Sequence, residues 1–142
     1  MSTEENKGIV RRMIEEGVNE RDLALFDELY APDFLYHLGS TTIEGVEAYK
    51  QFNLMSFTAF PDLRFTIEDQ IAEGDKVVTR WLVSGTQKGP FQGIPPTGKY
   101  VTVTGVGINR FANGKIVENW TNMDFLGILQ QLGVVPVPGQ AR

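Results

Sequence analysis

The chain has 142 residues, 42% of them hydrophobic and 22% charged, with a formal net charge of −5. That describes one ordinary globular domain with enough chain to bury a core, and an acidic balance with scattered Lys and Arg argues against nucleic acid or an anionic membrane as partner. Cysteine is absent and His37 is the single histidine, which removes disulfides, thiolate metal sites, a Cys nucleophile and any multi-His metal centre.

The opening Met-Ser-Thr-Glu-Glu-Asn-Lys is polar and lacks the apolar core of a signal peptide. No apolar run approaches the roughly 20 residues of a spanning helix, so the expected location is the cytoplasm. Ser2 or Thr3 caps a first helix, with Glu4 and Glu5 in its first turn. Ile9, Met13, Ile14 and Val18 form its apolar stripe. A short amphipathic helix follows over Leu23, Phe26, Leu29 and Tyr30, stopped at Pro32. Asp33 to His37 reads as a short strand, Thr42 to Glu44 as a brief extended piece, and Val46 to Phe57 as a third helix.

Beyond Phe60-Pro61-Asp62 the period changes to two. Leu63 to Ala72 alternates, with Phe65, Ile67, Asp69 and Ile71 on one face. Glu73-Gly74-Asp75 is a hairpin turn. Lys76 to Thr86 is the next strand. Gly89 to Lys99 holds three prolines and is a loop. Tyr100 to Phe111 and Lys115 to Asn122 are strands joined at Asn113-Gly114, and Phe125 to Leu132 is a closing helix. Helices first and an antiparallel meander after them make an α+β domain spanning residues 1–142.

A two-residue turn at Asn113-Gly114 sets Ala112 against Lys115. Asn109 then falls opposite Glu118, Gly107 opposite Trp120 and Gly105 opposite Asn122. Two glycines facing an indole and an amide leave a hollow. On this register Glu118, Trp120 and Asn122 share the hollow's face, with Asp124 at its rim. Trp120 reads as a core aromatic, a pocket wall, or both. Glu118 forms either a surface pair or a half-buried pair with Arg80 that shapes the cavity. Asp124 is either the cap of the closing helix or a general base able to take a proton from carbon beside a carbonyl. His37 is either a structural residue or a substrate contact. A serine-hydrolase elbow and a phosphate-binding glycine loop are both missing.

The runs Phe60-Pro61-Asp62-Leu63, Gly74-Asp75-Lys76-Val77-Val78, Gly93-Ile94-Pro95-Pro96-Thr97-Gly98-Lys99, Gly114-Lys115-Ile116-Val117-Glu118 and Trp120-Thr121-Asn122-Met123-Asp124, with Leu129-Gln130-Gln131-Leu132-Gly133, resemble the SnoaL-like polyketide cyclase family. The resemblance covers nearly the whole chain. It implies the cone-shaped, curved antiparallel sheet of the nuclear transport factor 2-like superfamily, covered by N-terminal helices around a deep apolar pocket. It also implies a homodimer through the outer face of the sheet, a small apolar molecule as partner, and no cofactor or metal. The reaction it implies is an intramolecular aldol condensation with Asp124 as acid/base and His37 as a polar pocket residue. Asn109 or Asn122 would hydrogen-bond the enolate. Trp120, Phe34, Phe52, Phe57 and Phe91 would form the walls, with residues 91–96 as a lid. Where relatives often carry histidines, this chain has Gln87 and Gly107-Ile108-Asn109. A pocket protein that binds an apolar ligand without turnover, or a dimeric interaction domain, is the alternative on the same fold.

Overall fold

The computed structural model describes residues 2–139. The chain runs α1 (Thr3–Arg12), a π-helical turn (Met13–Val18), α2 (Leu25–Leu29), β1 (Tyr30–Leu38), β2 (Thr41–Glu44), α3 (Val46–Ala59), β3 (Arg64–Glu73), β4 (Lys76–Thr86), β5 (Tyr100–Ala112), β6 (Lys115–Met123) and α4 (Phe125–Leu132). A capping box starts α1: Ser2 Oγ accepts from Glu5 N, and the Glu5 carboxylate accepts from Ser2 N, both at 3.0 Å. The π turn closes with Asn19 N donating to Ile14 O. Its wider spiral is the kind of local insertion that re-aims side chains, and Met13, Ile14 and Val18 all face the interior cavity.

Six strands form one sheet in the order β2-β1-β6-β5-β4-β3. The expected all-antiparallel sheet is corrected here, because β1 lies parallel to β6 while every other neighbour is antiparallel. The cause is topological. β1 is made before α3 and the meander, and the last meander strand returns beside it in the same direction. The sheet curls but does not close, since β2 and β3 end it at opposite edges.

Two bulges decide which side chains enter the interior. In β3 the register skips Glu68, so that Ile67 pairs with Trp81 and Asp69 with Arg80. In β6 it skips Val117, so that Phe111 pairs with Ile116 and Arg110 with Glu118. A bulge adds one residue to one strand, and a one-residue slip sends all later side chains to the opposite face. Hence Ile71, expected beside Phe65 and Ile67, is 64% exposed.

The core is continuous under the helices. Val10, Phe26, Phe34, Val77 and Ile116 are sealed, and Tyr30, Phe34, Tyr36 and Tyr49 pack ring on ring. A second cluster of Trp81, Val83, Val101, Val103, Ile128 and Leu132 lies toward α4. A cavity opens between the two.

Candidate ligand cavity

The concave face of the sheet, with α3 and the π turn, encloses a cavity of about 120 Å³. Its walls are mostly apolar: Met13, Ile14, Phe52, Phe60, Phe65, Trp81, Val103 and Ile128 among others. Phe91 reaches it from the loop between β4 and β5. That loop is organised around one buried amide. Gln87, 0% exposed, donates from Nε2 to the carbonyls of Gly89, Ile94 and Pro95, and its Oε1 accepts from Thr97 N and Thr97 Oγ1. A side chain of that reach makes a prolyl-rich segment hold one shape.

One wall is polar. Asn119 Nδ2 donates to Asn109 Oδ1 at 2.9 Å, and Thr121 Oγ1 donates to Asn119 Oδ1. The Tyr36 phenol lies beside the Thr121 hydroxyl. The Tyr49 phenol lies beside Tyr30 and Asn53, and Asn53 Nδ2 donates to the Tyr49 carbonyl at 2.9 Å. Burial first, and the neighbouring Tyr49 second, push the Tyr36 phenol far above its ordinary range. Burial likewise raises Tyr49. Both stay protonated hydrogen-bonding groups at neutral pH.

Gly105 and Gly107 do make room for an indole, as their sequence suggested, but the indole is Trp81. Gly105 pairs directly with Trp81, and a methyl on Gly105 would meet Trp81 Cη2 at 2.3 Å. The expected pairs are each displaced by one residue: Asn109 faces Asn119, Gly107 faces Thr121 and Gly105 faces Met123. Glu118, Trp120 and Asn122 therefore lie on the convex face, not in the hollow.

That face carries its own cluster. His37 Nε2 is 2.7 Å from Glu118 Oε2, His37 Nδ1 is 3.1 Å from Thr42 Oγ1, and the His37 ring stacks on Trp120 at 5.6 Å. Arg110 completes it with Nη2 at 3.0 Å from Glu118 Oε1. The hydrogen bond from His37, then the Arg110 guanidinium, hold the Glu118 carboxyl below its usual range against the opposing effect of burial. The expected Arg80–Glu118 pair is not formed; Arg80 is exposed, beside Val106, Asn122 and Asp124 in a shallow outer depression. Asp124 does not enter the cavity. It is exposed and caps α4, with Oδ1 accepting from Gly127 N at 2.8 Å. A methyl on Gly127 would stand 2.3 Å from that carboxylate.

Of the expected lining residues, Asn109, Phe52 and Phe91 border the cavity. Phe34 is sealed in the aromatic core beneath it, its ring 5.1 Å from that of Tyr49. Phe57 turns aside to the Arg21 guanidinium, 4.1 Å from its ring centroid. Asn119, Thr121, Trp81, Tyr36 and Tyr49 were not singled out. The first two were hidden by the Val117 bulge. Trp81 was legible in the strict alternation Val77, Thr79, Trp81, Val83, which are all buried.

A curled α+β sheet whose concave face holds an apolar, polar-tipped cavity under N-terminal helices defines the nuclear transport factor 2-like class of small-molecule pockets. Within that class the chain belongs to the SnoaL-like polyketide cyclase family, whose model matches residues 8–132. It is similar to AclR of Streptomyces galilaeus, a candidate hydroxylase, with 30% identity over 97% of this chain and 87% of that one and a TM-score of 0.85. A candidate SnoaL-like polyketide cyclase from Jannaschia sp. CCS1 is 32% identical over 92% of this chain and 93% of its own, with a TM-score of 0.84. IdmH of Streptomyces antibioticus, a candidate polyketide cyclase, is 33% identical over 90% and 98%, with a TM-score of 0.79. Comparison with curated proteins gives no match.

Proposed function

We propose that the cavity receives a small, neutral, mostly apolar carbonyl compound, and that its recognition rests on neutral hydrogen-bonding groups. One observation carries this reading. Among the described residues no Asp, Glu, His, Lys or Arg borders the cavity; its ionisable groups are Tyr36 and Tyr49, both held protonated. A formal charge on the ligand would find no counter-charge there and would lose its hydration. The test is calorimetric titration with 1-indanone. Val103→Phe, which fills the cavity, should abolish binding, and Asp124→Asn should leave it unchanged. Loss of binding in Asp124→Asn with the fold intact would overturn the reading.

A second reading adds turnover, and the family supports it: two of the similar structures are candidate polyketide cyclases. In this reading the cavity holds a poly-keto chain folded for an intramolecular aldol closure. Water takes the α-proton in place of an Asp124 base, the carbanion attacks the second carbonyl, the polar wall would stabilise the charge that grows on that oxygen, and the alkoxide takes a proton back from water. Mass spectrometry and NMR of a triketone incubated with the protein test it; ring closure no faster than in buffer would leave the binding reading alone. We also propose a homodimer through the convex face, which displays Ile71 at 64% and Val106 at 39% exposure.

A further inference from the structure

Resting on that reading, we propose that the ligand's carbonyl oxygen seats in a notch above the bare Cα of Gly107, where it accepts hydrogen bonds from the indole N–H of Trp81 and the amide N–H of Asn119. The notch is defined by what a side chain at Gly107 would meet. A methyl there would stand 3.3 Å from Thr121 Oγ1, 3.4 Å from Asn119 Nδ2 and 3.6 Å from Trp81 Nε1. Three polar atoms from β4 and β6 thus ring a spot that β5 leaves empty. Gly107 itself borders the cavity, as do all the groups around it.

The donors are available. Trp81 Nε1 has no hydrogen-bond partner among the described residues, and it is not sealed. Asn6 Oδ1 is the one buried side-chain polar atom there without a partner. Asn119 Nδ2 has two hydrogens and spends one on Asn109. Asn109 Oδ1 and Asn119 Oδ1 each already accept one hydrogen, from Asn119 and Thr121, and each keeps a second lone pair. At Gly107 the hydrogens left for a ligand are those of Trp81 Nε1 and Asn119 Nδ2. Buried donors left unpaired are costly, so a ligand oxygen that pairs them is discriminated from a hydrocarbon of the same shape. The same donors would be best used by a ligand oxygen gaining negative charge, as an enolate does. Trp81 has a double part: its ring fills the space left by Gly105, and this fixes where its N–H points.

The test compares 1-indanone with indane, molecules of nearly equal shape that differ by the oxygen. Dissociation constants are measured by calorimetry or ligand-observed NMR for the wild-type protein, Gly107→Ala and Trp81→Phe, with circular dichroism as a check on folding. The wild type should bind indanone at least about tenfold tighter than indane. Gly107→Ala puts a methyl into the notch in the oxygen's path, with Thr121 Oγ1 at 3.3 Å having to give by a few tenths of an ångström, and should collapse the ratio toward one. Trp81→Phe keeps a ring and deletes one donor, and should reduce the ratio about fivefold. A wild-type ratio near one, or a ratio that survives both substitutions, overturns the notch and leaves the pocket reading standing. Failure of both compounds to bind overturns the pocket reading and the notch with it.

Discussion

Gln87→Leu tests whether one amide shapes the loop that brings Phe91 to the cavity. Gln87 is 0% exposed and meets five partners in the loop. Its two amide hydrogens are shared among three carbonyls, so the effective count is two bonds donated and two accepted. At about 1 kcal/mol net for each, the sum is about 4 kcal/mol. Pro95 is exposed, and Ile94 and Thr97 are half-buried, so water can reach part of what the leucine abandons. Roughly half the sum should remain, about 2 kcal/mol. Urea denaturation measures the global part. Amide exchange at Thr97, whose N–H donates to Gln87 Oε1 at 3.1 Å, measures the local part. A variant within about 0.5 kcal/mol of wild type that still protects the Thr97 amide would refute the reasoning.

Asp124→Ala should cost about 1 kcal/mol through loss of the α4 cap, with Asp124→Asn costing less and neither changing indanone affinity; thermal denaturation and calorimetry check both halves. Phe91→Ala removes part of the cavity wall and should raise the indanone dissociation rate more than it lowers the association rate, as stopped-flow mixing would record. For Glu118, the folded carboxyl titrates below its usual value of 4.5, so its contribution to stability is complete above that pH and is lost as pH falls through the folded value. The stability gap between wild type and Glu118→Gln should therefore be widest at neutral pH and narrow below pH 4.5, which urea midpoints across that range would show. Sedimentation should give a dimer that Val106→Glu dissociates.

The sequence displayed most of the architecture because most of it is periodic. The β4 alternation, the Asn113-Gly114 turn and the Phe125–Leu132 helix stand as read. The glycines do stand beside an indole, but it is Trp81 of β4, paired with Gly105, and not the expected Trp120. What escaped was one residue of register in each of β3 and β6. Val117 carries no glycine or proline to announce a bulge; it is a good strand residue in a good strand. Yet the extra residue moved Glu118, Trp120 and Asn122 to the outside and brought Asn119 and Thr121 in. Asp124 then followed the outward run into a cap. A strand with a polar residue on either face offers no hydrophobic signal for its register there, since Glu118-Asn119-Trp120-Thr121-Asn122 alternates poorly on both settings. The parallel pairing of β1 with β6 was hidden for a different reason: it is a contact between distant segments, and local pattern says nothing of direction.

The central claim is that ligand meets the Trp81 side of the sheet and not the Trp120 side. The chain's two tryptophans lie on opposite faces of one sheet, which makes the measurement direct. In Trp120→Phe the remaining indole should be quenched saturably by 1-indanone, while in Trp81→Phe the remaining indole should show only the weak linear quenching of a collision. Saturable quenching of Trp120, with Trp81 silent, would contradict the account.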